Sequence, residues 1–256
     1  MKNFIKLLIV NFRYFSNLSN KMYQFILFVE PFFNLLVLSL LSNLSGNTLS
    51  SDSILYSGIM GAITFSLYSS GSILVIEKWN STMELLEATP TRLFKIVLSK
   101  ALTNALLAIV SLLINLLYAI FVFKVKLNIE NPIQILLLTF ILLLFSLTSL
   151  GSILAVIFGQ NKNAMELQNL LLVPLILFSG VWVSSIELPN WAIRLINISP
   201  VKWSIDCILE SIEREKVSLR SFVYSIVTSL IVIVITYVAI VFLERNMKEN
   251  GKYNEF

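Results

Sequence analysis

Residues 133–158 read IQILLLTFILLLFSLTSLGSILAVIF, a run without one charged side chain. At about 1.5 Å per residue, a helix of this length crosses a hydrocarbon core of roughly 30 Å. Five further long apolar segments, nearly free of charge, lie on either side of it, at 24–44, 54–76, 96–123, 167–184 and 222–243. The segment at 167–184 only just reaches across, and Pro174 and Gly180 interrupt it. The chain as a whole agrees: of 256 residues, 57% are hydrophobic and 13% charged, about half the charge of an ordinary soluble domain. The expected fold is a single all-α integral membrane domain with six transmembrane helices.

Lys and Arg in short flanks orient such a protein, because they stay on the cytoplasmic side. Lys2, Lys6, Arg13 and Lys21 precede the first span, and Lys78, Arg92, Lys95 and Lys100 follow the second. Lys162 follows the fourth, and Arg245, Lys248 and Lys252 follow the last. On the other side, 45–53 has no basic residue and 124–132 has Lys124 and Lys126. Both termini are therefore expected in the cytoplasm, in a bacterial cell membrane. The outer segment 185–220 runs against the rule with Arg194, Lys202, Arg214, Lys216 and Arg220. Glu187, Asp206, Glu210, Glu213 and Glu215 offset them. At the N-terminus, Lys2, Lys6, Arg13 and Asn17 share one helical face, and Phe4, Leu8, Phe12 and Phe15 the opposite one. Residues 1–21 are expected to lie along the membrane surface as an amphipathic helix rather than to act as a cleavable signal.

Much chemistry is excluded by composition. With no histidine and the single cysteine Cys207, the common general base, the disulfide and the cysteine metal cluster are all missing. The net charge of +4 is small and scattered, so no nucleic-acid partner is expected. No phosphate-binding loop occurs: Gly251-Lys252, the one Gly-Lys pair, is followed by Tyr253. Asp52 and Asp206 sit outside the spans, so no intramembrane aspartate pair exists for proteolysis. No catalytic, cofactor-binding or metal-ligating residue is expected. Ionisable residues at bilayer depth mark ion or cargo pathways, and the candidate here is Glu30, beside Pro31 in the first span. It reads either as a cargo or proton site, or as an acid bonding a neighbouring helix or reaching for the surface.

The loop after the second span, 77–95, is the informative one. It begins Glu77-Lys78-Trp79-Asn80-Ser81-Thr82-Met83-Glu84-Leu85-Leu86-Glu87-Ala88-Thr89-Pro90. Trp79, Met83 and Leu86 fall at i, i+4 and i+7, an apolar stripe flanked by acids. Asn80, Ser81 or Thr82 is expected to cap a short helix, Glu84 and Glu87 suit its first turns, and Pro90 stops it. Such a helix lies on lipid or fills a groove on a soluble partner.

With this loop the chain resembles the ABC-2 type permeases, the membrane subunits of one class of ATP-binding-cassette exporter. The resemblance rests on Glu77 to Pro90 as E-x-x-x-x-T-x-E-x-L-x-x-T-P and on Phe178-Ser179-Gly180. It rests also on Leu188-Pro189-Asn190-Trp191, then Ile198-Ser199-Pro200-Val201-Lys202-Trp203 and Asp206. Ser81 departs from the family, which often has glycine before the threonine. The resemblance implies that 77–95 holds a coupling helix seated in a separate nucleotide-binding ATPase subunit, which binds ATP and Mg. Glu77, Trp79, Thr82, Glu84, Leu85 and Glu87 would make that coupling. It also implies re-entrant helices within 185–220, with Trp182, Pro189, Trp191, Pro200 and Trp203 at the outer gate. The working unit would hold two permease subunits, identical or closely related, in the lipid bilayer.

Spans rich in Leu, Ile, Phe, Ser and Asn suit an amphipathic or lipophilic cargo, and the resemblance implies, within that class, a bacteriocin-like or toxin-like peptide or a hydrophobic antibiotic. Lipid-linked polysaccharide is the alternative within the family. Outside it stand an ATP-independent channel or carrier dependent on Glu30, and a non-transporting membrane sensor.

Overall fold

The computed structural model describes residues 2–15, 21–44, 51–125, 132–161, 163–177, 179, 189–212 and 217–250. Among these residues every regular element is helical: α1 (Lys2–Phe15), α2 (Lys21–Gln24), a π-helical turn (Phe25–Val29), α3 (Glu30–Leu44), α4 (Ser51–Gly71), α5 (Ile73–Trp79), α6 (Met83–Ala88), α7 (Leu93–Phe121), α8 (Ile133–Gly159), α9 (Ala164–Leu177), α10 (Asn190–Ile196), α11 (Pro200–Ile212) and α12 (Leu219–Asn250). Five stretches are long and apolar enough to cross a membrane: Phe25–Leu44, Ser53–Trp79, Leu93–Phe121, Ile133–Gly159 and Leu219–Met247. The expected span at 167–184 is represented by α9, a shorter apolar helix. Beyond Leu177, Ser179 alone is described before Pro189, so Gly180 and Trp182 lie outside the described residues.

Helix α8 occupies the middle, against α4, α5, α7, α9, α11 and α12. Lipid tails give helices no hydrophobic reason to associate, so close approach through small residues and buried hydroxyl contacts takes over. A Cβ on Gly151 would stand 2.6 Å from Cβ of Ser70 in α4, and one on Gly159 would stand 2.7 Å from Cβ of Leu74 in α5. On the opposite flank of α8, Ser146 meets Ser204 of α11 and, at 3.3 Å each, Ser225 and Ser229 of α12. Ser152 and Thr236 repeat the contact at 3.3 Å lower on the same pair of helices. The serines of 133–158 are thus the residues that bring its neighbours in.

Spans one and two each carry a break with an identifiable cause. Pro31 has no N–H to return to the turn before it, and the chain passes through the π-helical turn Phe25–Val29 just ahead of it. Span two bends between α4 and α5. There the Tyr68 carbonyl accepts from the Ser72 hydroxyl at 2.9 Å and from Nε2 of Gln168 in α9 at 2.7 Å. A side chain inserted into the helical ladder kinks it. Gly71 makes room, since a Cβ there would lie 2.7 Å from Cδ2 of Phe158. The amphipathic α1 packs along α7, where buried Asn11 donates from Nδ2 to the Ser99 hydroxyl at 2.8 Å.

Candidate functional site

The segment after span two forms an elbow. Helix α5 runs on to Trp79, so Glu77, Lys78 and Trp79 are its last turn rather than loop. The Thr82 N–H donates to the Glu77 carbonyl and the Ser81 N–H to the Lys78 carbonyl, each at 2.9 Å. These paired bonds make a Schellman closure, whose pivotal residue is left-handed and usually glycine. Here the pivot is Ser81, at φ 54°. The departure from the family pattern therefore falls where the backbone most favours glycine.

The expected caps on the next helix are not made. Thr82 stands at the N-cap position of α6 without a capping hydrogen bond. Its hydroxyl turns back to the Glu77 carbonyl at 3.0 Å and to the Glu77 carboxylate. That carboxylate also pairs with Lys100 of α7, the two side chains being only 14% and 16% exposed. Lys78 reaches the Gly159 carbonyl at the end of α8. Glu77 and Thr82 therefore brace the elbow from within, and neither faces outward.

Met83 is fully buried, in a cluster with Ile73 and Leu74 of α5, Leu93 and Val97 of α7, Val156 of α8 and Leu243 of α12. Leu86 packs against the same cluster. From α12, the Glu244 carboxylate accepts the Leu93 N–H at 3.2 Å, at the start of α7. Trp79, Glu84 and Leu85 remain on the outer surface, with Trp79 at 63% and Leu85 at 67% exposure. Two large apolar side chains are therefore exposed at the elbow, one at the end of α5 and one on α6. The Glu87 side chain lies outside the described residues.

At the other end of the bundle, Pro189 precedes α10 in extended backbone, and Pro200 opens α11. Trp203 is buried and donates from Nε1 to the Asn197 carbonyl at 2.9 Å. Its ring stacks on Tyr224 of α12 at 4.8 Å, and Lys202 Nζ lies 3.9 Å from its centroid. Trp191, by contrast, is exposed. Of the acids that offset the basic residues of 185–220, Asp206 and Glu210 are described, and both are engaged locally. Asp206 pairs with Lys202 at 2.5 Å, and Glu210 accepts the Ser218 N–H at 2.7 Å, at the entrance to α12. Buried Cys207 lies beside them, and its desolvation pushes the thiol up to about 12.

Glu30 begins α3, half-buried, in a crevice that it shares with Asn34, Ser111 and Asn115. Spans one, two and three meet there.

Residues 5–212 match the model of the ABC-2 type transporter family. The chain belongs to that family. It is a multi-pass membrane protein and the permease subunit of an ABC transporter, a type of subunit that works with an ATPase and has none of its own. No curated protein matches the chain. The matched stretch takes in the elbow, the central α8 and the α10–α11 segment of the permease.

Proposed function

We propose that this permease exports an amphipathic or lipophilic cargo, driven by a separate ATPase subunit that binds ATP and Mg and docks on α6. The supporting observation is the division of labour in that helix. Glu84 and Leu85 point outward from α6, as Trp79 does from the end of α5, while Met83 is rooted among α5, α7, α8 and α12. A push on the outer surface of so short a helix is passed to four packed elements at once, because a close-packed cluster moves as a body. Two such subunits side by side complete the unit in this reading, with α10 and α11 at the outer gate.

The test is co-purification from native membranes in mild detergent, comparing wild type with a Glu84→Arg, Leu85→Asp double variant. Both positions are exposed, so the variant is expected to fold and to lose the ATPase subunit. Equal recovery of an ATPase with both proteins, or none with wild type, would count against docking at α6.

A further inference from the structure

We propose that α1 senses the charge of the cytoplasmic leaflet: its outward face binds anionic lipid headgroups, and its bond to α7 passes that contact to the base of the elbow. Neither half depends on the nature of the cargo.

The helix has two unlike faces. Phe4, Leu7, Leu8 and Asn11 make up the less exposed one, and the buried Asn11, bonded to Ser99, places it against α7. With that face used, large apolar side chains still stand outside. Ile5, Ile9 and Phe12 follow one another at i, i+4 and i+7, and all three are exposed. Next to this row, between Ile9 and the exposed Val10, run Lys6 and Arg13 at i and i+7. Both cations are exposed, and neither makes an ion pair among the described residues. Water disfavours the apolar row, and the bilayer core disfavours the basic one. Both are accommodated where acyl chains meet headgroups, with the apolar row dipping inward and the cations among the phosphates.

Sign narrows the surface. The chain has no acidic residue before Glu30. On α7 the exposed cations Lys95 and Arg92 stand one and two turns before Ser99, and Glu77 is already paired with Lys100. An all-basic face repels a second copy of itself and complements the anionic phospholipid of the leaflet.

Asn11 makes α1 more than an anchor. Apolar packing alone would hold α1 on α7, whereas a buried amide bonded to a hydroxyl fixes the register in which it sits. The Asn11 Nδ2 donates to the Ser99 hydroxyl at 2.8 Å, which donates in turn to the Ile96 carbonyl at 2.9 Å. Lys100, the next residue of α7, pairs with Glu77, and Glu77 accepts from Thr82. Helix α1 thus grips α7 one residue away from the ion pair that braces the elbow.

The test is hydrogen-exchange mass spectrometry of the full chain in nanodiscs of phosphatidylcholine and of its equal mixture with phosphatidylglycerol. No ATPase subunit is present, so the result is independent of docking at α6. A basic side chain at an anionic surface is worth about fivefold in binding, so Lys6 and Arg13 together are expected to slow α1 exchange by up to roughly thirtyfold in the anionic discs. Exchange over 83–88 is expected to slow there too, by a smaller factor. A Lys6→Gln, Arg13→Gln variant is expected to lose both differences. Asn11→Ala is expected to keep the first and lose the second; Ser99 retains its bond to the Ile96 carbonyl, so no hydroxyl is stranded. Equal α1 exchange of wild type in the two lipids overturns the proposal, and that comparison needs no variant. An elbow that ignores the lipid, or that still follows it in Asn11→Ala, overturns the coupling and reduces α1 to an anchor. A second arm adds the ATPase subunit. Protection of α1 that appears only then, equally in both lipids, assigns the face to a protein and overturns the lipid contact.

Discussion

Truncating Met83 to alanine separates the two jobs assigned to α6. The side chain is fully buried among α5, α7, α8 and α12, and removing a buried Met typically costs about 2–5 kcal/mol. A helix spanning only Met83–Ala88 has almost no stability of its own to set against that loss, because short helices are marginal without tertiary packing. The cost therefore falls on the seating of α6 rather than on the bundle. At about 1.4 kcal/mol per tenfold, exchange of the α6 amides is expected to quicken by roughly thirty- to several-thousand-fold. Exchange within α8 is expected to stay put. With Trp79 and Leu85 intact, the ATPase subunit is expected to remain bound while cargo no longer stimulates hydrolysis. Leu85→Asp is expected to do the reverse, losing the subunit with α6 exchange unchanged. Hydrogen-exchange mass spectrometry of the two variants, run beside a pull-down, reads both effects. Wild-type exchange over 83–88 in Met83→Ala would refute the rooting of the helix. If both variants lose the partner equally, the division of labour is wrong.

Two further expectations concern single residues. Ser81 holds φ 54°, a conformation costing about 1–2 kcal/mol for a side-chain-bearing residue, while glycine carries an entropy penalty of roughly 0.5–1 kcal/mol. Ser81→Gly is expected to leave a net gain of a few tenths to 1 kcal/mol, read as a small rise in melting temperature, and Ser81→Val a fall; a fall with glycine would contradict the left-handed pivot. Cys207, buried and with its thiol pushed up to about 12, has a thiolate fraction of roughly one in ten thousand at pH 8. It is expected to react with a maleimide at least about a hundredfold more slowly than a cysteine introduced by Trp191→Cys in a Cys207→Ser background, and comparable rates would show that α11 does not bury it.

Long, charge-free runs made the helical membrane fold legible, since length and hydropathy are all that a span requires. The elbow was legible as a short helix but not in its facing. Trp79, Met83 and Leu86 make one stripe only if a single helix carries all three. The left-handed Ser81 breaks the phase, so Trp79 turns out while Met83 turns in. The same break sends Thr82 back to Glu77 instead of forward onto α6. Lys100 and Glu244 could not be found by spacing, because each meets the elbow from a distant element. The Glu30 crevice was half visible. The acid showed in the sequence, but Gly58, Gly61 and Asn115 reach it only once α4 and α7 have packed.

The pocket that seats Met83 draws Ile240, Leu243 and Met247 from α12, and the start of α7 is held by Glu244 of the same helix. All four are made well after the elbow itself. At ordinary translation rates the interval is on the order of ten seconds, during which α6 exists as sequence without a seat. The surface it presents becomes rigid only when α12 arrives, so until then α6 can be gripped but not driven, because a push on it has no seat to act through.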